Sequence, residues 1–325
     1  TTDFIQSIIM TVALIVVLIF GVETAGGIGA VIHNASELPG YLSMTLSYDV
    51  NTGKAAPYSA LTIVSTAAWG LGYFGMPHIL LRFMAIEDEK KLKLSRRVAT
   101  IWVVISLFVA VFIGVIGYTM SKVGALEMLT GSNSETIIVK ISALLSQHGV
   151  IFALLAGVIL AGILASTMST SDSQLLAASS AVSSDILGAF RKDSSNKNGS
   201  MAAARITLLV ISVVAAFIAR NPDSSVFAIV SFAWAGFGAA FGPVVLFSLF
   251  WKRTNKWGAL AGMVCGGSMV FIWKYLIRPL GSIWNIYELL PAFLIACAAI
   301  VIVSLLTPKP SKEIEEEFDR VAQMK

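Results

Sequence analysis

Apolar residues in this chain do not alternate with the period of a half-buried strand, nor recur as one stripe of an amphipathic helix; they run together. Eight stretches of about 20 residues, 4–22, 58–77, 97–119, 149–171, 203–219, 226–250, 258–277 and 288–307, are each long enough to cross the hydrocarbon core of a lipid bilayer as a helix. Polar and charged residues collect in the connections between them and in a tail at 308–325. The pattern predicts an all-α polytopic membrane protein with a transmembrane domain over 1–307.

Composition agrees with this reading, because 56% of the 325 residues are hydrophobic and only 13% are charged. That charged share is about half that of an ordinary soluble domain. A net charge of +4 would suggest nucleic acid as a partner for a soluble chain, but here the placement of Lys and Arg decides. The segments 78–97, 185–205 and 251–257 and the tail hold seventeen of the 23 basic residues, whereas the alternate connections hold only Lys54, Lys122, Lys140, Arg220, Lys274 and Arg278. This alternation obeys the positive-inside rule, so the chain start and the tail are expected on the cytoplasmic side of the cell membrane, with no role for nucleic acid. Cys265 and Cys297 lie inside apolar runs and suggest neither a disulfide framework nor a zinc site. Thr1-Thr2-Asp3 leads into the first span without an initiator Met or a basic signal region, and the expectation is that the chain begins inside a longer protein.

Three spans carry more than lipid-facing side chains. The second contains Ala68-Trp69-Gly70-Leu71-Gly72-Tyr73-Phe74-Gly75-Met76-Pro77-His78, a density of glycine and proline at which a helix should break. Main-chain groups freed at membrane depth are tolerated only where protein buries them or a wet cavity receives them, which points to a binding site. Trp69 and Tyr73, four apart, share a face beside the break. A proline kink flanked by interfacial aromatic rings fits the same residues.

The fourth span places Gly162, Ser166, Ser169, Thr170 and Ser173 at helical spacing. Such a stripe either packs closely against another helix, with its hydroxyls bonded back to their own main chain, or offers oxygen atoms to a hard cation such as sodium. Ser169 falls about 30 Å along a helix that starts at Gly149. Asp172 is a carboxylate close to a span, where carboxylates are rare and usually functional, although the aqueous inner end of the helix suits it equally. In the sixth span, Trp234-Ala235-Gly236-Phe237-Gly238-Ala239-Ala240-Phe241-Gly242-Pro243 reads as a close-packing surface. His33, His78 and His148 form no metal-ligand spacing, and no catalytic pattern appears, so no catalytic residue is assigned and an enzyme is disfavoured. A channel fits poorly, because a continuous pore should show polar stripes on several spans.

Taken in order, Trp69-Gly70-Leu71-Gly72-Tyr73-Phe74-Gly75 with Pro77-His78-Ile79 and Arg82-Phe83-Met84-Ala85, then Met168-Ser169-Thr170 with Ser173-Gln174-Leu175-Leu176, then Ala233-Trp234 through Pro243 to Phe247, resemble the sodium:solute symporter family and its bacterial proline-transporting branch. The resemblance covers nearly the whole chain. It implies a LeuT-type inverted-repeat fold in partial form. The first span would be the last helix of repeat one, spans two to six would be repeat two, and two extra C-terminal helices would follow, with earlier N-terminal helices of the same protein missing. It also implies sodium-coupled symport of proline by alternating access. Another small amino acid or carboxylate as solute, or a non-transporting sensor, is the alternative. By resemblance, Trp69, Tyr73 and Pro77, with Gly70 and Gly72 of an unwound Gly70 to Gly75 stretch, contact the substrate, while the side chains of Ser169 and Thr170 hold the co-transported sodium ion with the carbonyl of Ser166 nearby. Asp3 and Asp172 are candidates for the sodium pathway. Met76 and Phe232 depart from the enterobacterial members, which carry Gln and Tyr there.

Overall fold

The computed structural model describes residues 2–186, 197–220 and 225–323, with side chains for all of these except 2–4, 89, 184 and 197–200. Among the described residues, seven helical stretches are long and apolar enough to cross a membrane: Ile5–Thr24, Leu92–Lys122, Val150–Ser183, Met201–Ile218, Val226–Phe250, Lys256–Leu280 and Leu289–Leu306. Large apolar side chains such as Phe108, Val111 and Leu209 stand on their outer surfaces, more than 60% exposed. Such surfaces are stable against hydrocarbon and not against water. The molecule is an all-α polytopic membrane protein, and its chain folds as two compact units, residues 1–56 with 86–226 and residues 57–85 with 227–325.

The first unit is built on α1 (Thr2–Thr24), which packs against α5 (Leu92–Lys122) and α7 (Val150–Ser180). Its core is aliphatic, with Val17, Ile113, Ile116, Met120, Ile141 and Ile159 almost wholly buried. Close approach is what Gly21 supplies, since a Cβ there would lie 2.7 Å from the Ile116 side chain. A short helix α2 (Ile28–Ser36), a hairpin of β1 (Leu46–Asp49) and β2 (Lys54–Pro57), and α6 (Ile137–Leu145) fill the connections. After α7, a π-helical turn at Ala181–Ile186 and α8 (Lys197–Ile218) complete the unit.

The second unit holds the segment 58–77, and that segment is not a continuous helix. Ser59 caps α3 (Ala60–Ala67) by accepting from the Thr62 N–H. The chain then tightens into a 3-10 helix over Ala68–Gly75, Met76 is extended at φ −85° and ψ 109°, and α4 (Pro77–Met84) begins with its proline in the first turn. Pro77 explains the break: it disfavours the helical conformation for the residue before it, and its missing N–H costs nothing at a helix start. Around this segment stand α9 (Val226–Phe250), α10 (Lys256–Ile272) with a π-helical turn at Trp273–Ile277, and α11 (Leu289–Leu306), followed by α12 (Lys312–Gln323).

Gly258 and Gly262 on α10 are one turn apart and face α11, where added Cβ atoms would lie 1.9 Å from Ser304 Oγ and 2.4 Å from Ile300. This small-residue seam brings the two backbones together without help from water. Its lower end is closed by Asn255, which accepts from the Gly258 N–H at 2.8 Å and donates to Thr307 Oγ1 at 2.7 Å. The seam follows the four-residue spacing that marks close helix pairs, a signal in the sequence that span-by-span reading passes over.

Candidate functional site

In the second unit the broken segment and α9 meet through glycines. A Cβ on Gly72 would lie 1.9 Å from Trp234 Nε1, one on Gly238 would lie 2.7 Å from the Gly72 Cα, and one on Gly75 would lie 2.3 Å from the Phe237 carbonyl oxygen. The glycines of the second and sixth hydrophobic segments therefore act as a pair of facing surfaces. The packing role read for Gly238 and Gly242 is what the structure shows: Gly238 meets the broken segment at Gly72, and Gly242 meets Phe293 of α11 first, with the Leu71 carbonyl oxygen of the broken segment next. Gly70 differs: the space where its Cβ would stand is open.

Above this seam is an aromatic cluster. Trp69 stacks on Phe227 and Trp234, each at a centroid separation of 5.5 Å, and on Tyr287 at 6.0 Å. Tyr73 meets Trp234 edge-on at 4.8 Å and 84°, so two of the three aromatic residues of the 3-10 stretch, Trp69 and Tyr73, contact one indole. The Trp234 N–H donates to the main-chain carbonyl of Trp69 at 3.0 Å. That bond satisfies a carbonyl of a short, strained helix type whose own hydrogen bonds are poorly aligned. Tyr73 remains 49% exposed, leaving a ring available beside the stack. Pro77 is exposed at the start of α4.

Two details differ from the sequence reading. The Gly70 to Gly75 stretch is a tightened 3-10 helix and not unwound chain, and the departure from helical geometry is concentrated at Met76. Glycine is needed at Gly72 and Gly75 for contact with α9, whereas nothing presses on Gly70. Phe227 and Tyr287 were not singled out by sequence reasoning. Phe227 precedes Trp234 by seven residues, two helical turns on one face, and that spacing is legible; Tyr287 lies in an irregular connection with no periodic signal.

In the first unit, α7 carries the hydroxyl stripe. Ser166, Ser169 and Ser173 are half-buried, and Thr170 and Asp172 are exposed. Ser173 donates to the Ser169 carbonyl at 2.8 Å and Thr167 to the Ile163 carbonyl at 3.0 Å, the back-bonding that hydroxyls on apolar helices often make. Ser166 lines a cavity of about 190 Å³ between α7 and α1, whose other walls include Ala13, Val17 and Gly162. Gly162 permits this approach, with an added Cβ 3.4 Å from Ala13. One helix thus presents Ser166, Ser169 and Thr170 within five residues, a set of neutral oxygens of the kind a hard monovalent cation accepts. Asp3 lies in α1, and its side chain is outside the described residues. Among the described residues no three His, Cys, Asp or Glu side chains gather in a metal-binding group.

The sequence matches the sodium:solute symporter family over residues 1–266. It is 37% identical to the osmoregulated proline transporter OpuE of Bacillus subtilis over 96% of this chain and 59% of that protein. It is 42% identical to the sodium/proline symporter of Haemophilus influenzae over 80% of this chain and 51% of that protein, and 35% identical to the sodium/proline symporter of Escherichia coli over 98% and 60%. The chain therefore spans between half and about three-fifths of the length of these curated relatives.

Proposed function

The chain belongs to the sodium:solute symporter family, and from that premise we propose that it serves sodium-coupled symport of proline across the cytoplasmic membrane by alternating access. The observation that carries the proposal is the aromatic cluster at the helix break, where Trp69 and Tyr73 both meet Trp234 beside an extended Met76. Proline is a small zwitterion with an apolar ring. Aromatic faces attract its CH groups and its ammonium, and the positive end of a half-helix such as α4 favours its carboxylate. Relatives named as proline transporters support this choice of solute. The partial LeuT-type repeat arrangement and a cytoplasmic C-terminus, the latter from the alternation of basic connections, belong to the same proposal.

Sodium is the coupled substrate, held in this reading by the side chains of Ser169 and Thr170 and the Ser166 carbonyl. Its binding favours the outward-open, solute-ready state, so the effect on proline is a population shift. Asp3 and Asp172 are assigned to the sodium pathway as part of the same reading. Uptake of labelled proline into proteoliposomes tests the proposal. Accumulation driven by an inward sodium gradient, and competed by unlabelled proline, is expected; accumulation that ignores the gradient, or competition by other solutes and not by proline, would refute it.

A further inference from the structure

Tyr287 lies in the connection between α10 and α11, and three contacts fix it. Its ring stacks on Trp69 at 6.0 Å and 16°, its hydroxyl donates to the Ser231 carbonyl at 2.6 Å, and its main-chain N–H donates to Ser65 Oγ at 3.1 Å. The two anchors are not arbitrary positions. Ser65 precedes Trp69 by four residues on the segment leading into the break, and Ser231 stands between Phe227 and Trp234 on α9. One residue therefore ties together the two elements that supply the aromatic stack, each about one turn from the ring it supplies.

The connection that bears Tyr287 is itself held. Glu288, only 1% exposed, accepts from the Arg278 guanidinium at 3.0 Å, and Arg278 Nε donates to Asn285 Oδ1 at 3.0 Å. With both ends of the connection pinned, little freedom is left to lose when the Tyr287 ring is placed.

We infer that Tyr287 is a positioning residue for solute recognition: it holds the Trp69 ring in the orientation in which Trp234 and the solute meet it. The inference rests on the reading of Trp69 as a solute contact, and it gives the connection between the two C-terminal membrane helices a part in selecting the substrate. Without the tether, the productive orientation of Trp69 is populated only part of the time, and apparent affinity falls by that fraction while the loaded protein translocates as before.

The test is proline uptake by the reconstituted protein carrying Tyr287→Phe, Trp69→Ala or both, with thermal stability measured alongside. Tyr287→Phe keeps the ring and removes only the bond to Ser231. It is expected to raise the KM for proline about three- to tenfold, as loss of one partly buried hydrogen bond does, with Vmax per folded molecule and the sodium half-saturation unchanged. In the Trp69→Ala background it should add nothing, because the two act as a unit. An unchanged KM, a fall in Vmax alone, or a full additive effect on Trp69→Ala would overturn the inference. A Trp69→Ala protein with the parental KM would instead overturn the underlying solute-site reading, so the two failures are distinguishable.

Discussion

The indole N–H of Trp234 and the main-chain carbonyl of Trp69 form a 3.0 Å hydrogen bond while the two rings stack at 5.5 Å, so one residue of α9 holds both the backbone and the side chain of the broken segment. That arrangement needs Gly72 between them, because a Cβ there would stand 1.9 Å from Trp234 Nε1. Gly72→Ala must displace the indole, and overpacking of this kind costs about 1–3 kcal/mol. Gly70→Ala meets open space and should change stability by about 0.5 kcal/mol or less in either direction. Thermal unfolding in detergent, with proline uptake measured in parallel, should show a loss of both for Gly72→Ala, whereas Gly70→Ala should leave the unfolding temperature unchanged.

The hydroxyl stripe belongs to one unit and the aromatic cluster to the other, and because hydroxyl oxygens suit a cation whereas aromatic rings suit an apolar solute, the two sets of variants should give separable phenotypes. Ser169→Ala and Thr170→Ala should raise the sodium concentration needed for half-maximal uptake about tenfold or more, as loss of one charge-assisted contact of about 1.5–3 kcal/mol does, with a smaller effect on solute preference. Trp69→Ala and Tyr73→Ala should do the reverse, raising the KM for proline and altering competition by analogues. Titrations of sodium at fixed proline, and of proline at fixed sodium, measure the two effects.

Asn255 makes both a helix cap and a tie to the end of α11, through Gly258 on one side and Thr307 on the other. Asn255→Ala should lower stability by about 1–2 kcal/mol, in the range of lost caps. Asn255→Asp keeps an acceptor for the Gly258 N–H and should recover part of the loss. Unfolding temperatures of the two variants provide the comparison.

The hairpin between α2 and α3 turns on Asp49, whose carboxylate accepts from the Asn51 N–H at 2.9 Å and the Thr52 hydroxyl at 2.8 Å. The Thr52 hydroxyl and the Asn51 N–H hold its pKa below the usual aspartate value. A lowered folded-state pKa means that the turn has its full carboxylate stabilisation above the unfolded pKa and loses it as pH falls through the folded one. Protection of the Asn51 amide from hydrogen exchange should therefore hold at neutral pH and fall in acid. Asp49→Asn, which accepts similar bonds without a charge, should remove that pH dependence.

What the sequence made legible follows from which forces are local. That the helix breaks between Ala68 and His78 could be read in advance, because Pro77 acts on its immediate neighbour and the glycines act through their own backbone, although its concentration at Met76 could not. The long apolar helices were equally legible, since length and hydropathy are sums over contiguous residues. The pairing of Gly72 with Trp234, of Gly75 with Gly238, and of Trp69 with Tyr287 could not be read, because each joins residues far apart in the chain and no periodicity links them. Nor could the choice between a 3-10 helix and unwound chain over 68–75, which depends on how closely α9 approaches.

Equilibrium binding of labelled proline to the purified protein, with and without sodium, tests the account most directly. If sodium binding and solute binding are coupled through one conformational equilibrium, saturating sodium should tighten proline binding at least tenfold, and proline must tighten sodium binding by the same factor. Proline affinity that is identical in sodium and in an inert cation would contradict the account.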